Sequence, residues 1–509
     1  PDLEGITVCK ALDEVPEALH LALVSVERSQ VVDVVEACAA KGIGAAIVIT
    51  QGFADADELG AREQRRLEEV VARTGIRIVG PNTIGVADAG AGFTSSFIEA
   101  HRDPASQIGQ VAQSGFLMMG HHLINNEPGG FLKTIDLGNA CDIGLIDVLE
   151  HYEEDDAIKV IECHLEAVEQ GRAFLETAAR ITRSKPMVAL KAAASALGLQ
   201  AVASHTGAIA GEARVYDQEM SQAGVVQARS AEDLRLLSKA FATYGKSQGK
   251  RVAVVSFSGG GAVLALDAID RADLELAELA PATLEKLRHL FPDWLEIGNP
   301  LDIWIPIAKD MEASFPLIMR SVLEDAAVDA VLCIYCSYNL PKYKQFDVSP
   351  HVAELAGAYP DKPILCWSYG QDIEGITRTI ESTRKAMVFP TLEGAATALA
   401  ELAKHHERTS ARQDAAAATT LKADRARIDA ALSRATGAAH LFTEAFEILE
   451  AYGLPVAPWT LVEDPAELES ATRDLSGPFC LKVVSDDILH KSESGGVVLG
   501  VESGEALKE

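Results

Sequence analysis

At 509 residues the chain is too long for one core, because domains run to ~100–200 residues each, and three or four are expected. Hydrophobic residues at 48% with 24% charged make an ordinary globular mixture, and the longest apolar runs, such as VDAVLCIYC (Val328 to Cys336), fall far short of a ~20-residue membrane span. A formal net charge of −30 without any Lys/Arg run excludes a nucleic-acid backbone as partner and favours a well-solvated surface.

Along the chain one unit recurs: a β-rich apolar run, a turn of small residues, then a helical pattern. It appears in GAAIVITQGFAD (from Gly44), QIGQVAQSGFLMMGHHL (from Gln107) and KRVAVVSFSGGGAVLALDAID (from Lys250). Further continuous apolar strands are KVIECHLE (from Lys159), PMVALKA (from Pro186), AVLCIYC (from Ala330) and PILCWS (from Pro363). Such strands alternating with helices predict doubly wound, Rossmann- or flavodoxin-like α/β domains built on parallel sheets. Boundaries are expected at 1–98, 99–245 and 246–405, with YGKSQGK (Tyr244 to Lys250) as a polar hinge. An Ala- and charge-rich linker follows at 406–436, then a last domain over 437–509. That domain opens with an amphipathic helix capped near Thr443 and closed at Gly453, followed by the strands PFCLKVVS and GGVVLGVES. Its seventy or so residues read as part of a larger core. The eight cysteines lie mostly in apolar segments, which points to a reduced compartment, the cytoplasm. No secretory leader is visible, and the chain starts with Pro1.

Three loops carry candidate chemistry. SHTGAIAG (Ser204 to Gly211) sets His205 among Gly207 and other small residues whose amides stay open to an anion. QSGF (Gln113 to Phe116) and FSGGG (Phe257 to Gly261) put small residues between a strand and a helix, aiming the helix N-terminus at whatever anion lies in front. Each alone equally serves chain geometry. CIYC (Cys333 to Cys336) reads as core thiols within a strand rather than a metal site. No complete G-x-G-x-x-G with a following acidic residue supports a nicotinamide-dependent oxidoreductase.

The succession GPNTIGV, QSG, LGNACDI, HLEAV, SHTGAIAG, SGGG, GNPLDI and LKVVSDDILHKSESGGVVLG resembles the nucleoside-diphosphate-forming acyl-CoA synthetases, relatives of succinyl-CoA synthetase, along essentially the whole chain. The resemblance implies a cytoplasmic, dimeric ligase of a carboxylic acid and CoA that uses ATP and Mg2+. A phosphoryl group passes from ATP to His205 and then to the carboxylate, and CoA displaces phosphate from the acyl phosphate. It implies Glu166, in HLEAV, as the carboxylate that holds the other imidazole nitrogen; strand alternation alone leaves Glu162 and His164 equally placed. The turns at Ser114 and Gly115 and at Ser258, Gly259 and Gly260 would face the phosphohistidine, with Gly207 in its own loop. CLKVVS with HKSESGGV resembles the opening of an ATP-grasp domain, with Lys482 reaching nucleotide phosphates and His490 as a second phosphoryl relay. The acidic magnesium ligands would lie past Glu509, and no metal ligand is assigned within this chain. A CoA site is implied at Ser25, Gln51, Gly52, Pro81 and Asn82, and a first strand with its Gly-rich turn would precede Pro1.

Substrate identity rests on GNPLDIWIPIAK (from Gly298), expected to line the acid site with Asn299 and Trp304. Trp304 either stacks on an aromatic acid, faces a cationic one or packs between domains; a larger or aryl acid, such as a hydroxycinnamate, is favoured. The alternative is a relative on the same scaffold that senses acyl-CoA or nucleotide or acylates proteins. Loss of the carrier histidine would mark it, and His205 and Glu166 are both present.

Overall fold

The computed structural model describes residues 2–3, 6–97, 103–115, 130–168, 170–192, 213–337, 341–414, 423–434, 443–473, 475–485, 488, 491–492, 494–502 and 506. They fall into two compact units, Pro1–Asp414 and Ala415–Glu509.

The larger unit carries three mainly parallel sheets. After a small hairpin, β1 (Asp2–Leu3) and β2 (Ile6–Thr7), the first sheet is β3 (Leu21–Val24), β4 (Ala45–Val48) and β5 (Arg77–Val79), parallel and in that order. Helices α1 (Arg28–Ala40) and α2 (Glu58–Thr74) cross between these strands. Asp57 caps α2 by accepting the Gly60 N–H, and Gly75 closes the helix with φ at 76°.

The second sheet takes β6 (Val86–Asp88), β7 (Phe93–Thr94), β8 (Ile108–Ala112), β9 (Lys133–Asp136), β10 (Val160–Leu165), β11 (Met187–Lys191) and β12 (Val226–Ala228), in the order 12-11-10-8-9-6-7. Strands β6 and β7, which the sequence reading groups with the first domain, join this sheet through antiparallel pairing of β6 with β9. Its helices are α3 (Leu145–Glu154), α4 (Gly171–Ile181), α5 (Ala213–Ala223) and α6 (Ala231–Tyr244).

The third sheet comprises β13 (Arg251–Ser256), β14 (Glu275–Leu276), β15 (Leu301–Asp302), β16 (Ala330–Ser337), β17 (Ile364–Gly370) and β18 (Met387–Phe389), in the order 14-13-16-17-18 with β15 beside β13. Around it lie α7 (Gly259–Arg271), α8 (Pro281–Arg288), α9 (Trp304–Glu324), α10 (Ser349–Ala358), α11 (Ile373–Glu381) and α12 (Leu392–Asp414).

The second and third sheets each close a core of their own on one face and share another on the opposite face. Ile108, Val160 and Val188 of one and Val252, Val254, Leu332 and Leu365 of the other lie in a single buried cluster, filled by Leu234, Leu237 and Phe241 of α6 and Leu399 and Leu402 of α12. Within the expected hinge, Tyr244 to Lys250, Gly245, Lys246 and Gln248 are exposed. Ser247 is buried, and the Tyr244 hydroxyl donates to the Ile364 carbonyl at 2.7 Å while accepting the Met387 N–H at 2.7 Å. A 260 Å³ cavity opens on this seam, lined in part by Ser106, Thr243 and Lys385. Two of its cations, Lys239 and Arg384, are taken up by Glu381 and Asp103.

The smaller unit holds α13 (Arg425–Arg434), α14 (Thr443–Ala451) and α15 (Leu468–Ala471), and the antiparallel pair β19 (Phe479–Lys482) and β20 (Val497–Val501). Among the described residues, no helix is long and apolar enough to cross a membrane.

Candidate active site

In an open parallel sheet a ligand crevice forms outside the strand end from which successive crossovers leave in opposite directions. The second sheet has that point at β8, whose neighbours are β10 and β9, so Gln113, Ser114 and Gly115 occupy the crevice mouth. In the third sheet it lies at β13, flanked by β15 and β16, where Ser258, Gly259 and Gly260 begin α7. The Ser258 hydroxyl accepts the Gly261 N–H at 3.4 Å and the Ser258 N–H donates to the Ser256 hydroxyl at 3.1 Å, leaving the Gly259 and Gly260 amides for an anion. Both glycine turns singled out in the sequence thus sit at switch points.

Glu166 follows β10 directly, at the same edge as Ser114. Its backbone is gripped from two sides. The Gln113 carboxamide oxygen accepts the Glu166 N–H at 2.6 Å and the Ala167 N–H at 3.1 Å, while its Nε2 donates to the Ala167 carbonyl at 2.8 Å. From β11 the Lys191 Nζ donates to the Glu166 carbonyl at 2.9 Å. Burial raises the Glu166 carboxyl above its ordinary range, the nearby Asp136 charge raises it further, and Lys191 opposes both. Glu162 has a different part: fully buried within β10, it accepts from Gln110 Nε2 at 2.9 Å. His164 is buried as well. Of the three carboxylate or imidazole candidates on this strand, only Glu166 reaches the open edge. His205 and Gly207 lie outside the described residues, as does His490; Lys482 is exposed on β19.

The residues named for CoA collect at the carboxyl edge of the first sheet: Ser25 after β3, Gln51 and Gly52 after β4, Pro81 and Asn82 after β5. Arg28 Nη1 donates to the Gly52 carbonyl at 2.6 Å, and the Asn82 N–H donates to the Thr50 carbonyl at 3.0 Å. This edge is laced to the second sheet by LGNACDI. Asn139 donates its N–H to the Pro81 carbonyl at 2.8 Å, accepts Asn82 Nδ2 at 3.3 Å and donates to Asp55 at 2.7 Å. Buried Asp136 accepts the Ile84 N–H at 2.8 Å, and burial pushes its carboxyl up. Gly138, at φ 55°, lets this crossing pass, because an added Cβ would stand 2.3 Å from the Pro81 oxygen. Gly138→Ala is expected to cost about 3 kcal/mol, the sum of a left-handed alanine and a steric overlap. The readouts are a thermal midpoint lower by several degrees and weakened CoA binding by calorimetry.

Asn299 and Trp304 separate in role. Asn299 commits both amide hydrogens to backbone, the Val252 and Ala277 carbonyls at 2.9 Å each, and accepts the Val254 N–H at 2.8 Å. Its amide stitches β13 to its neighbour and has no hydrogen left for a substrate. Trp304 is 50% exposed at the start of α9 and faces Phe346, with ring centroids 5.7 Å apart. Its backbone N–H donates to Asp302 at 3.1 Å, and that carboxylate borders Gly259, so the first residue of α9 stands beside the α7 turn. Cys333 is buried in β16 opposite Cys366 of β17, and both are free thiols. Among the described residues no group of three or more His, Cys, Asp or Glu side chains is arranged for a metal ion.

Family models agree with this layout. A CoA binding domain matches residues 1–89, a succinyl-CoA ligase like flavodoxin domain residues 105–241 and an ATP-grasp domain residues 432–509. Acetate–CoA ligase [ADP-forming] I of Archaeoglobus fulgidus is 30% identical over 503 residues, covering 98% of this chain and 71% of the relative. The chain belongs to the ADP-forming acyl-CoA ligases. A trans-feruloyl-CoA synthase of an unknown prokaryotic organism is 25% identical over 518 residues, covering the whole of this chain and 71% of that protein. Among solved structures, a dinucleotide forming acetyl-coenzyme A synthetase 1 of Ca. Korarchaeum cryptofilum, in complex with phosphate and ADP, superposes with a TM-score of 0.72 at 25% identity. It covers 82% of this chain and 89% of that one. The ligase is accordingly an enzyme of the acid–thiol class, built on flavodoxin-like domains followed by an ATP-grasp domain.

Sequence reasoning passed over Gln113, Asp136, Asn139 and Lys191. Gln113 and Asn139 were inside motifs already quoted. A lysine closing an apolar run, as Lys191 does in PMVALKA, is the signal that could have marked it.

Proposed function

We propose that this ligase joins CoA to a carboxylic acid larger than acetate, of the aryl or hydroxycinnamate kind, using ATP with Mg2+ and a phosphoryl group carried on His205. The carboxylate would lie between the Ser114–Gly115 and Ser258–Gly260 turns. There the amide dipoles of two switch points converge on the charge that grows as phosphate is transferred. Glu166 would accept the other imidazole N–H and stabilise the cationic ring of the phosphohistidine. Attack by the CoA thiol then expels inorganic phosphate and leaves the thioester. Ser25, Gln51, Gly52, Pro81 and Asn82 would hold CoA, and Lys482 the nucleotide phosphates, with His490 as a second relay.

The observation that carries the choice of acid is the exposed Trp304, seated against Phe346 beside the α7 turn. An indole half open to solvent at a switch point offers a flat apolar face, which a two-carbon acid cannot use. The test is acyl-CoA formation from ATP, CoA and a panel running from acetate to ferulate. Ferulate should exceed acetate in kcat/KM, and Trp304→Ala should lower the ferulate value by about tenfold, the worth of one lost aromatic contact, while sparing acetate. Equal losses for both acids would return Trp304 to a packing role.

A further inference from the structure

A lysine ending a buried parallel strand normally carries its ammonium to water. Lys191 does not. Two of its three donors are spent on carbonyls, Glu166 at 2.9 Å and its own neighbour Ala192 at 2.6 Å, and the ammonium lies 4.9 Å from the centre of the Tyr216 ring. Each partner belongs to a different part of the candidate site. Glu166 is the carboxylate at the open edge of β10, Ala192 precedes residues 193–212, which include His205, and Tyr216 is in the first turns of α5, which follows them.

We propose that Lys191 is a positioning residue for phosphoryl transfer: one ammonium fixes the residue that orients the histidine and both ends of the segment that bears it. The proposal rests on the reading of His205 as carrier and Glu166 as its partner. Two physical consequences follow. The first is geometric, since the Glu166 backbone, Ala192 and the Tyr216 ring are referred to a single point, the kind of positioning a near-attack arrangement requires. The second is electrostatic. Among the described residues the charges facing the Glu166 carboxyl are Asp136 from β9, which raises it, and Lys191 from β11, which lowers it. Lys191 is thus the counter-charge that opposes the upward shift of the Glu166 carboxyl and favours the ionised form that accepts the imidazole N–H. Burial in turn lowers the ammonium's own titration, and Glu166 offsets part of that shift.

The experiment needs no nucleotide. The protein is incubated with radiolabelled inorganic phosphate and either acetyl-CoA or feruloyl-CoA. Phosphate displaces CoA to give the acyl phosphate, and the histidine then takes the phosphoryl group and releases the free acid. The rate of acid-labile labelling is recorded against pH for wild type, Lys191→Met, Lys191→Arg and Glu166→Gln. Lys191→Met is expected to label about tenfold more slowly or worse, with the acid limb of its profile moved to higher pH and the CoA affinity unchanged. Lys191→Arg, which restores the charge, should return the limb toward its wild-type position. Labelling by Lys191→Met at the wild-type rate, or a slower rate with an unmoved limb that Lys191→Arg does not rescue, overturns the proposal. If Lys191→Met does not fold, the Lys191→Arg profile decides: a wild-type limb supports the proposal, and a limb moved to higher pH overturns it. Normal labelling by Glu166→Gln would instead bring down the underlying reading of Glu166, and the proposal with it, by a separately visible route.

Discussion

His205→Ala is expected to abolish acid-labile, base-stable labelling from radiolabelled phosphate plus acyl-CoA, and to lower the rate of acyl-CoA synthesis by about 10^4-fold or more. The size follows from the covalent route. On the proposed route the phosphoryl group would have no acceptor imidazole to carry it from the nucleotide to the acid. CoA affinity should be unchanged, because Ser25, Gly52 and Asn82 belong to another sheet edge. Labelling retained in the alanine variant would refute the carrier assignment, whatever the effect on overall rate.

The second large effect is expected at Glu166. Glu166→Gln keeps the volume and the backbone bonds to Gln113 and Lys191 but removes the charge that stabilises a cationic, phosphorylated ring. A loss of about 10^2- to 10^3-fold in kcat with little change in KM is expected. The pH dependence has a definite sign. Only the ionised carboxylate accepts the imidazole N–H, so activity falls as pH drops through the Glu166 titration. Burial and Asp136 place that titration above the ordinary carboxylate range. The wild-type acid limb should therefore lie at higher pH than a solvent-exposed glutamate would give, and Glu166→Gln should lack it. Asp136→Asn, which removes the neighbouring negative charge, should move the limb downward. A limb that persists unchanged in Glu166→Gln would assign it to another group.

Much of this architecture is written in short-range signals. Continuous apolar strands such as VIECHL and AVLCIYC are buried on both faces of a parallel sheet, so their hydrophobicity identifies them without help from neighbours. The turns at Ser114 and Ser258 are legible for the same local reason, as small residues between a strand and a helix. What the sequence hides is pairing. The short β6 and β7 carry no apolar run, and only the antiparallel pairing of β6 with β9 shows that they serve the second sheet. Asn299 in GNPLDI looks like a polar residue free for a ligand until three backbone groups, two on β13 and one just past β14, are found on its amide. Glu162 and Glu166 have the same parity on one strand. Their difference is depth: one ends under α6, the other at the edge, and depth depends on where β10 stops.

The shared layer of α6 and α12 determines where this polypeptide could be divided in two. A break near residue 245 would lay bare Leu234, Leu237 and Phe241 on one fragment and Leu399 and Leu402 on the other, leaving each half with an open apolar face. A break after Asp414 falls between the two compact units and exposes none of that cluster. Gene fission, split-protein complementation or limited proteolysis should thus succeed at the second point and fail at the first. The two glycine turns must then be inherited together, as one piece of machinery on one chain.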